Sequence, residues 1–208
     1  MGDLTAPGAA AAAQRWGLVC MFDPDRSVQS SPAIWRPECA SQIVSLAAAP
    51  TAMPGALRLP EIVASARFEA AGTDHLVCDI AGVRHRLALP TGDRDALLAI
   101  LLQPLGDTLR VATCDAARRM FAGLRPGESA AALRPSRLQR QRLTLLLRVL
   151  DASLMGASSR EIGTRIVYPW LAADAASWKA MSERRRVQRL VAEARALAAS
   201  DYRGLLRP

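Results

Sequence analysis

Up to Pro90 the apolar positions come in short runs separated by turn residues. RWGLVCMF ends on Asp-Pro-Asp-Arg, and AIWRP, QIVSLA, ALRLPEIVASARFEA and HLVCDIAGVRHRLAL follow. Runs of this length bounded by Gly, Pro and Asp read as β-strands. In the last of them, residues 75–80 and 83–89 flank Ala81-Gly82, a two-residue hairpin connection. Beyond Pro90 the period lengthens. Leu97, Leu98, Leu101 and Leu102 form a stripe in residues 93–102, and Val111, Cys114, Ala117, Met120 and Phe121 form another in residues 108–124, so both stretches are expected to be helices. After the Pro/Gly-rich link LRPGESAAALRPS, a stronger helix begins at Ser136. Leu138, Leu143, Leu146, Leu147, Leu150 and Leu154 recur along it up to a stop at Gly156. These leucines are expected to make it a core element, with Arg137, Arg140 and Arg142 on a solvated face.

The pattern predicts an α+β protein, with a β-rich N-terminal region that includes two helices, followed by an all-α, helix-turn-helix-like domain. Residues 1–14, rich in Ala and Gly, are expected to be a disordered tail, residues 15–132 the β-rich domain, and residues 133–208 the helical domain. Charge sharpens this division. Of the chain's formal +8, residues 1–132 carry a net −1 and residues 133–208 a net +9. A basic excess confined to one segment is the footprint of a phosphate-backbone binder, because neutralising phosphates releases condensed counterions.

Composition excludes several other classes. ALLAILL, the longest apolar stretch, is far short of the roughly 20 residues that span a bilayer, and no positive, leucine-rich leader opens the chain. A cytoplasmic, nucleoid-associated protein with no membrane partner is expected. Cys20, Cys39, Cys78 and Cys114 are too widely spaced for a zinc or redox motif and are expected to be reduced, buried thiols. His75 follows Asp74, while His85 lies between Arg84 and Arg86 and is expected on the exposed face of a strand. No nucleophile elbow, phosphate-binding loop or zinc-protease motif occurs, so neither an enzyme nor a bound cofactor or metal is expected.

Candidate chemistry gathers in the basic third. In GASSREIGTRI, Ser158 and Glu161 have the spacing of a capping box, and Ile162 and Ile166 give an apolar i, i+4 pair. A long helix, a glycine stop and a short capped helix make the front half of a helix-turn-helix. Further on, MSERRRVQRLVAEARAL predicts a helix over residues 182–198. At 100° per residue Val187, Leu190, Val191, Ala194 and Leu197 share the face that packs on the core. Ser182, Arg185, Gln188, Arg189 and Ala192 lie on or near the opposite face. Arg184, Arg185 and Arg186 occupy the first turn, where the helix dipole disfavours each cation by about 0.3–1 kcal/mol. Cations placed against that field point to a surface that expects an anion. The 15 residues between the two helices exceed a simple turn, and YPWLAADAASW within them offers a short helix with Trp170 and Trp178 as packing or docking aromatics.

LRVLDASLMGASSREIGTRI, Trp178-Lys179, SERRRVQRLVAEARAL and DYRGLL together resemble the DNA-binding domain of RovC-like transcription factors. RWGLVCMFDPD and WRPE resemble the segment preceding it. This bacterial family is associated with type VI secretion control and with mobile, integrative and conjugative elements. The resemblance implies sequence-specific regulation of transcription through a helix-turn-helix with an extended turn. Carried over by position, Ser158 to Glu161 cap the supporting helix, and residues 184–189 fall in the reading helix. Where many members have Gly-Gly before the Tyr-Arg pair, this chain has Ser200-Asp201, an acid close to the basic surface. Some members act instead as anti-activators that sequester another regulatory protein through the same domain, which leaves a protein-interaction module as the alternative.

The expected partner is double-stranded DNA, bound by a homo-oligomer that pairs half-sites. Arg185 and Arg189 are the candidates for base or groove contacts, with Ser182 and Gln188 beside them. Arg160, Arg165, Lys179, Arg184 and Arg186 are the candidate phosphate clamps.

Overall fold

A computed structural model describes residues 7–20, 32–92, 95–101 and 107–206. They adopt the α+β class and divide into two compact units, one ending at Arg134 and the other running Pro135–Leu205; Leu206 groups with the first.

In the first unit, helix α1 (Pro7–Trp16) occupies most of the stretch expected to be disordered, and it brings Ala13 into full burial. Strands β1 (Val44–Ala48), β2 (Leu57–Arg58), β3 (Ala66–Ala70), β4 (Thr73–Ile80), β5 (Val83–Pro90) and β6 (Leu97–Ile100) form a sheet in the order β2-β6-β1-β5-β4-β3. β1 runs parallel to β5, and the other described pairings are antiparallel. Ala71-Gly72 and Ala81-Gly82 close the β3–β4 and β4–β5 hairpins with φ of 49° at each alanine and 73° and 74° at the glycines. Two successive positive φ values are the signature of the two-residue turn whose twist matches the strands. The second of these turns is the one the sequence predicts.

Val44, Leu46, Leu76, Cys78, Leu87, Leu89 and Leu98 bury one face of the sheet together with Ala117 and Met120 of helix α2 (Thr108–Phe121). On the other face Ala88 packs with Ala40, Ile43, Trp35 and Leu206, and the Leu206 carbonyl accepts from the Ser41 amide at 2.9 Å. Asp107 caps α2 by accepting from the Arg110 amide and from the buried Ser41 hydroxyl, while the Arg110 guanidinium donates to the Pro37 carbonyl at 3.1 Å. A short helix α3 (Ser129–Ala132) follows.

Several expectations fail here for physical reasons. Within residues 93–102, Leu97 and Leu98 lie in β6 rather than a helix, because a short apolar run fits either period and the gap between β1 and β2 supplies backbone partners on both edges. Residues 93, 94 and 102 of that stretch lie outside the described residues. His85 is buried, not exposed: strand alternation turns it away from Arg84 and Arg86 and sets it opposite Cys78 on the α2 side. Cys78 and Cys114 are buried as expected, whereas Cys20 and Cys39 are half-buried.

The second unit is helical: α4 (Arg137–Leu154), α5 (Ser159–Ile162) continuing as a π turn over Gly163–Val167, α6 (Ala175–Ala180), α7 (Ser182–Ala196) continuing as a second π turn over Leu197–Asp201, and α8 (Tyr202–Leu206) apart from its last residue. Ser136 and Gln139 form a full capping box at the start of α4. At its end Gly156 adopts φ +82°, and the amides of Gly156 and Ala157 bond back to the carbonyls of Ser153 and Ala152. This is the left-handed glycine stop that satisfies the last carbonyls of a helix. The unit's core is Leu146, Val149, Ala152, Ile162, Trp178, Val187 and Ala194. The face of α4 that packs is therefore narrower than its leucine stripe, and Leu138, Leu147 and Leu154 stay exposed. Arg142 pairs with Glu193 at 2.6 Å, and Arg195 donates to the Ser153 hydroxyl at 2.7 Å, tying α4 to α7. No helix among the described residues is long and apolar enough to cross a membrane.

Candidate nucleic-acid interface

The site is built on α7, and α7 is held by a stack of small packing decisions beneath it. Ser158 accepts from the Glu161 amide, and the Glu161 carboxylate accepts from the Ser158 amide at 2.9 Å, so the predicted capping box is present. These bonds to the carboxylate, that from the Ser158 amide foremost, hold the Glu161 carboxyl below its ordinary pKa. Gly163, buried in the following turn, leaves room for the indole of Trp178 from α6. A Cβ there would lie 2.8 and 2.9 Å from Cζ2 and Cζ3 of the ring, and closer still to Cη2. Trp178 is only 4% exposed, and its Nε1 donates to the Ser159 hydroxyl at 3.2 Å. Asp174 caps α6 by accepting from the amides of Ala176 and Ser177, and the Ser177 amide leads in lowering its pKa. The extended segment between the supporting helix and α7 is thus ordered by one capped helix with a buried tryptophan.

On this base Val187 is fully buried, with Leu190, Val191, Ala194 and Leu197 packed on the same core, as the helical wheel predicts. Ser182, Arg185, Gln188, Arg189 and Ala192 are exposed on the other side. Lys179, Ser182, Arg184, Arg185 and Gln188, with Ala180 and Met181, line a concavity of about 400 Å³ at the α6–α7 junction. No acid or hydrogen-bond acceptor among the described residues engages Lys179, Arg184, Arg185 or Arg189; the Ser182 hydroxyl donates to Glu183 at 3.1 Å. Met181 precedes α7 without a side-chain cap, unlike the residues before α2, α4, α5 and α6. The start of α7 thus lacks a side-chain cap and lies beside Lys179, Arg184 and Arg185 in the concavity, an arrangement that favours an oxyanion.

The remaining candidates lie apart from this concavity. Arg165 is exposed in the first π turn, and Arg160 donates to the Ala173 carbonyl at 3.3 Å. The Arg186 guanidinium sits over the Tyr168 ring at 5.9 Å while the residue stays exposed. Sequence reasoning missed Gly163 and Tyr168. A glycine in a capped helix that precedes a tryptophan-bearing segment is the only trace either leaves in the sequence.

Residues 88–207 match the RovC_DNA-bd family, described as the DNA-binding domain of a type VI secretion system (T6SS) transcription factor. The chain belongs to this family. The RovC_DNA-bd match covers more than half of the sequence and begins within β5, well ahead of the helical unit, so the family domain takes in β6 and α2 as well as α4 to α8. Membership makes the protein a DNA-binding regulator of bacterial type, in a family of transcription factors and not of enzymes. No curated protein matches the chain.

Proposed function

We propose that the protein is a cytoplasmic, sequence-specific regulator of transcription that lays α7 in the major groove and controls type VI secretion or mobile-element transfer genes. The observation that carries this reading is the convergence of unpaired Lys179, Arg184 and Arg185 on the uncapped start of α7. Arg185 and, one turn on, Arg189 are the base-edge readers, with Gln188 and Ser182 beside them. Arg184, Lys179, Arg165 and Arg160 hold phosphates. Arg186, exposed beside the Tyr168 ring, holds phosphate with them. Reading an operator with two half-sites calls for a homo-oligomer, whose two-fold axis would set their spacing.

The test is binding to duplex DNA from upstream of the protein's own gene, measured by mobility shift over a salt series. Each phosphate contact adds about −0.9 to the log–log salt slope, so several contacts give a steep dependence. Arg185→Ala with Arg189→Ala should cost about 1–3 kcal/mol for each base pair no longer read and narrow the difference between operator and mixed-sequence DNA. Unchanged binding by that double variant would remove α7 from the reading role. Absence of any shift by the wild type at low salt would favour the sequestration of another regulator through the same face.

A further inference from the structure

Tyr168, Pro169, Trp170 and Leu171 form a tight turn ahead of α6, closed by the Leu171 amide bonding to the Tyr168 carbonyl at 2.9 Å. Proline at the second position fixes the backbone there and puts Trp170 at the apex. The indole is 76% exposed, far more than packing within the unit would leave it. It is also restrained. Trp170 meets the Tyr168 ring edge-to-face, with centroids 5.8 Å apart and planes at 84°, and Tyr168 is itself covered by the Arg186 guanidinium. Two residues beyond the turn, the Ala173 carbonyl accepts from Arg160 at 3.3 Å. The nearby acid Asp174 is occupied in capping α6. An exposed aromatic braced against a second ring, which itself lies beneath an arginine of α7, loses little freedom when it binds, and a cation close by suits a polyanion's partner.

We infer that Trp170 is a DNA-contacting residue whose indole packs on the deoxyribose and base edge of the strand flanking the groove that receives α7. The inference rests on the reading above, since Tyr168, which the indole meets, lies beneath Arg186 of that helix. What it adds is an apolar contact of different physical kind. Arginines that clamp phosphates release counterions, so removing one flattens the salt slope; an indole on a sugar or base edge releases none, so removing it lowers affinity equally at every salt concentration.

The experiment is fluorescence anisotropy of a fluorescein-labelled duplex from upstream of the gene, titrated with wild type, Trp170→Ala, Trp170→Phe and the Lys179→Ala, Arg184→Ala double variant across a salt series. Trp170→Ala should weaken binding by about 5- to 30-fold, as removal of an aromatic stacking partner does, on a line parallel to wild type. Trp170→Phe should recover most of the loss. The Lys179→Ala, Arg184→Ala double variant, which lacks two phosphate clamps, should show a shallower slope. The far-UV circular dichroism of Trp170→Ala should match wild type, because the side chain removed is exposed. Wild-type affinity for Trp170→Ala at every salt would overturn the inference while leaving the DNA reading intact, and would assign the aromatic apex to a protein partner. A changed slope for Trp170→Ala would overturn it too, since the residue would then act through the neighbouring charges. If wild type binds no duplex, the underlying reading fails instead, a result distinguishable from both.

Discussion

Gly163→Ala tests whether the interface depends on the close approach of α6 to the turn after α5. In an ordinary helical position alanine in place of glycine gains up to about 1 kcal/mol from helix propensity. The backbone at Gly163, with φ −58° and ψ −57°, accepts alanine without strain, so propensity alone predicts a more stable protein. Sterics oppose it. The new methyl group would meet three atoms of the Trp178 ring, all nearer than 3 Å, and that ring is buried and fixed by its bond to Ser159. Overpacking a rigid core costs about 1–3 kcal/mol, and contacts this short place the cost at the upper end. The net loss is about 2 kcal/mol, which for a unit of this size lowers the melting temperature by roughly 8–16 °C. Thermal unfolding followed by far-UV circular dichroism measures it directly. Repeating the substitution in a Trp178→Phe background should erase most of the steric cost, giving a coupling energy of about 2 kcal/mol in the double-mutant cycle. A Gly163→Ala protein that melts at or above wild type would refute the reasoning, since propensity would then have outweighed a clash that did not exist.

Two further outcomes are expected. Ala71 and Ala81 hold a left-handed conformation that costs an L-residue with a Cβ roughly 1–2 kcal/mol, and asparagine tolerates it better. Ala71→Asn and Ala81→Asn should each stabilise the sheet unit by about 0.5–1 kcal/mol in urea unfolding, and an unchanged midpoint would argue against those turn geometries. With respect to pH, burial pushes the His75 and His85 pKa values down, so the unfolded chain takes up protons on them first. The sheet unit should be fully stable above about pH 6.5 and lose stability as pH falls below it. The carboxyls of Glu161 and Asp174 are depressed by the amides they cap, so their contribution is present above about pH 4 and lost below it. Acid titration by circular dichroism should show the histidine step shift in His85→Gln and the carboxyl step shift in Asp174→Asn, while single-step unfolding near pH 4 in every variant would contradict the histidine assignment.

The sequence by itself determined whatever depends on near neighbours in the chain. Ser136 with Gln139 and Ser158 with Glu161 carry their capping boxes in three-residue spacings, Gly156 its stop, and Ala81-Gly82 its turn, because each is closed by hydrogen bonds within a few residues. The wheel of residues 182–198 likewise fixed which side of α7 packs and which side faces out, since the period of a long amphipathic helix is unambiguous. The charge imbalance was legible for the same reason: it is a sum along the chain. Tertiary structure decided everything that needed a partner far away in sequence. Leu97–Ile100 became a strand because β1 and β2 supplied backbone partners on both sides, a choice its own period leaves open. The leucines of α4 outnumber what α5 and α7 can cover, so only packing selected Leu146, Val149 and Ala152 over Leu147 and Leu154. Arg186 was drawn over Tyr168, and Trp178 into the space that Gly163 leaves, by contacts across intervening turns. The charge of the basic surface is thus a property of the sequence, and its shape is a property of the fold.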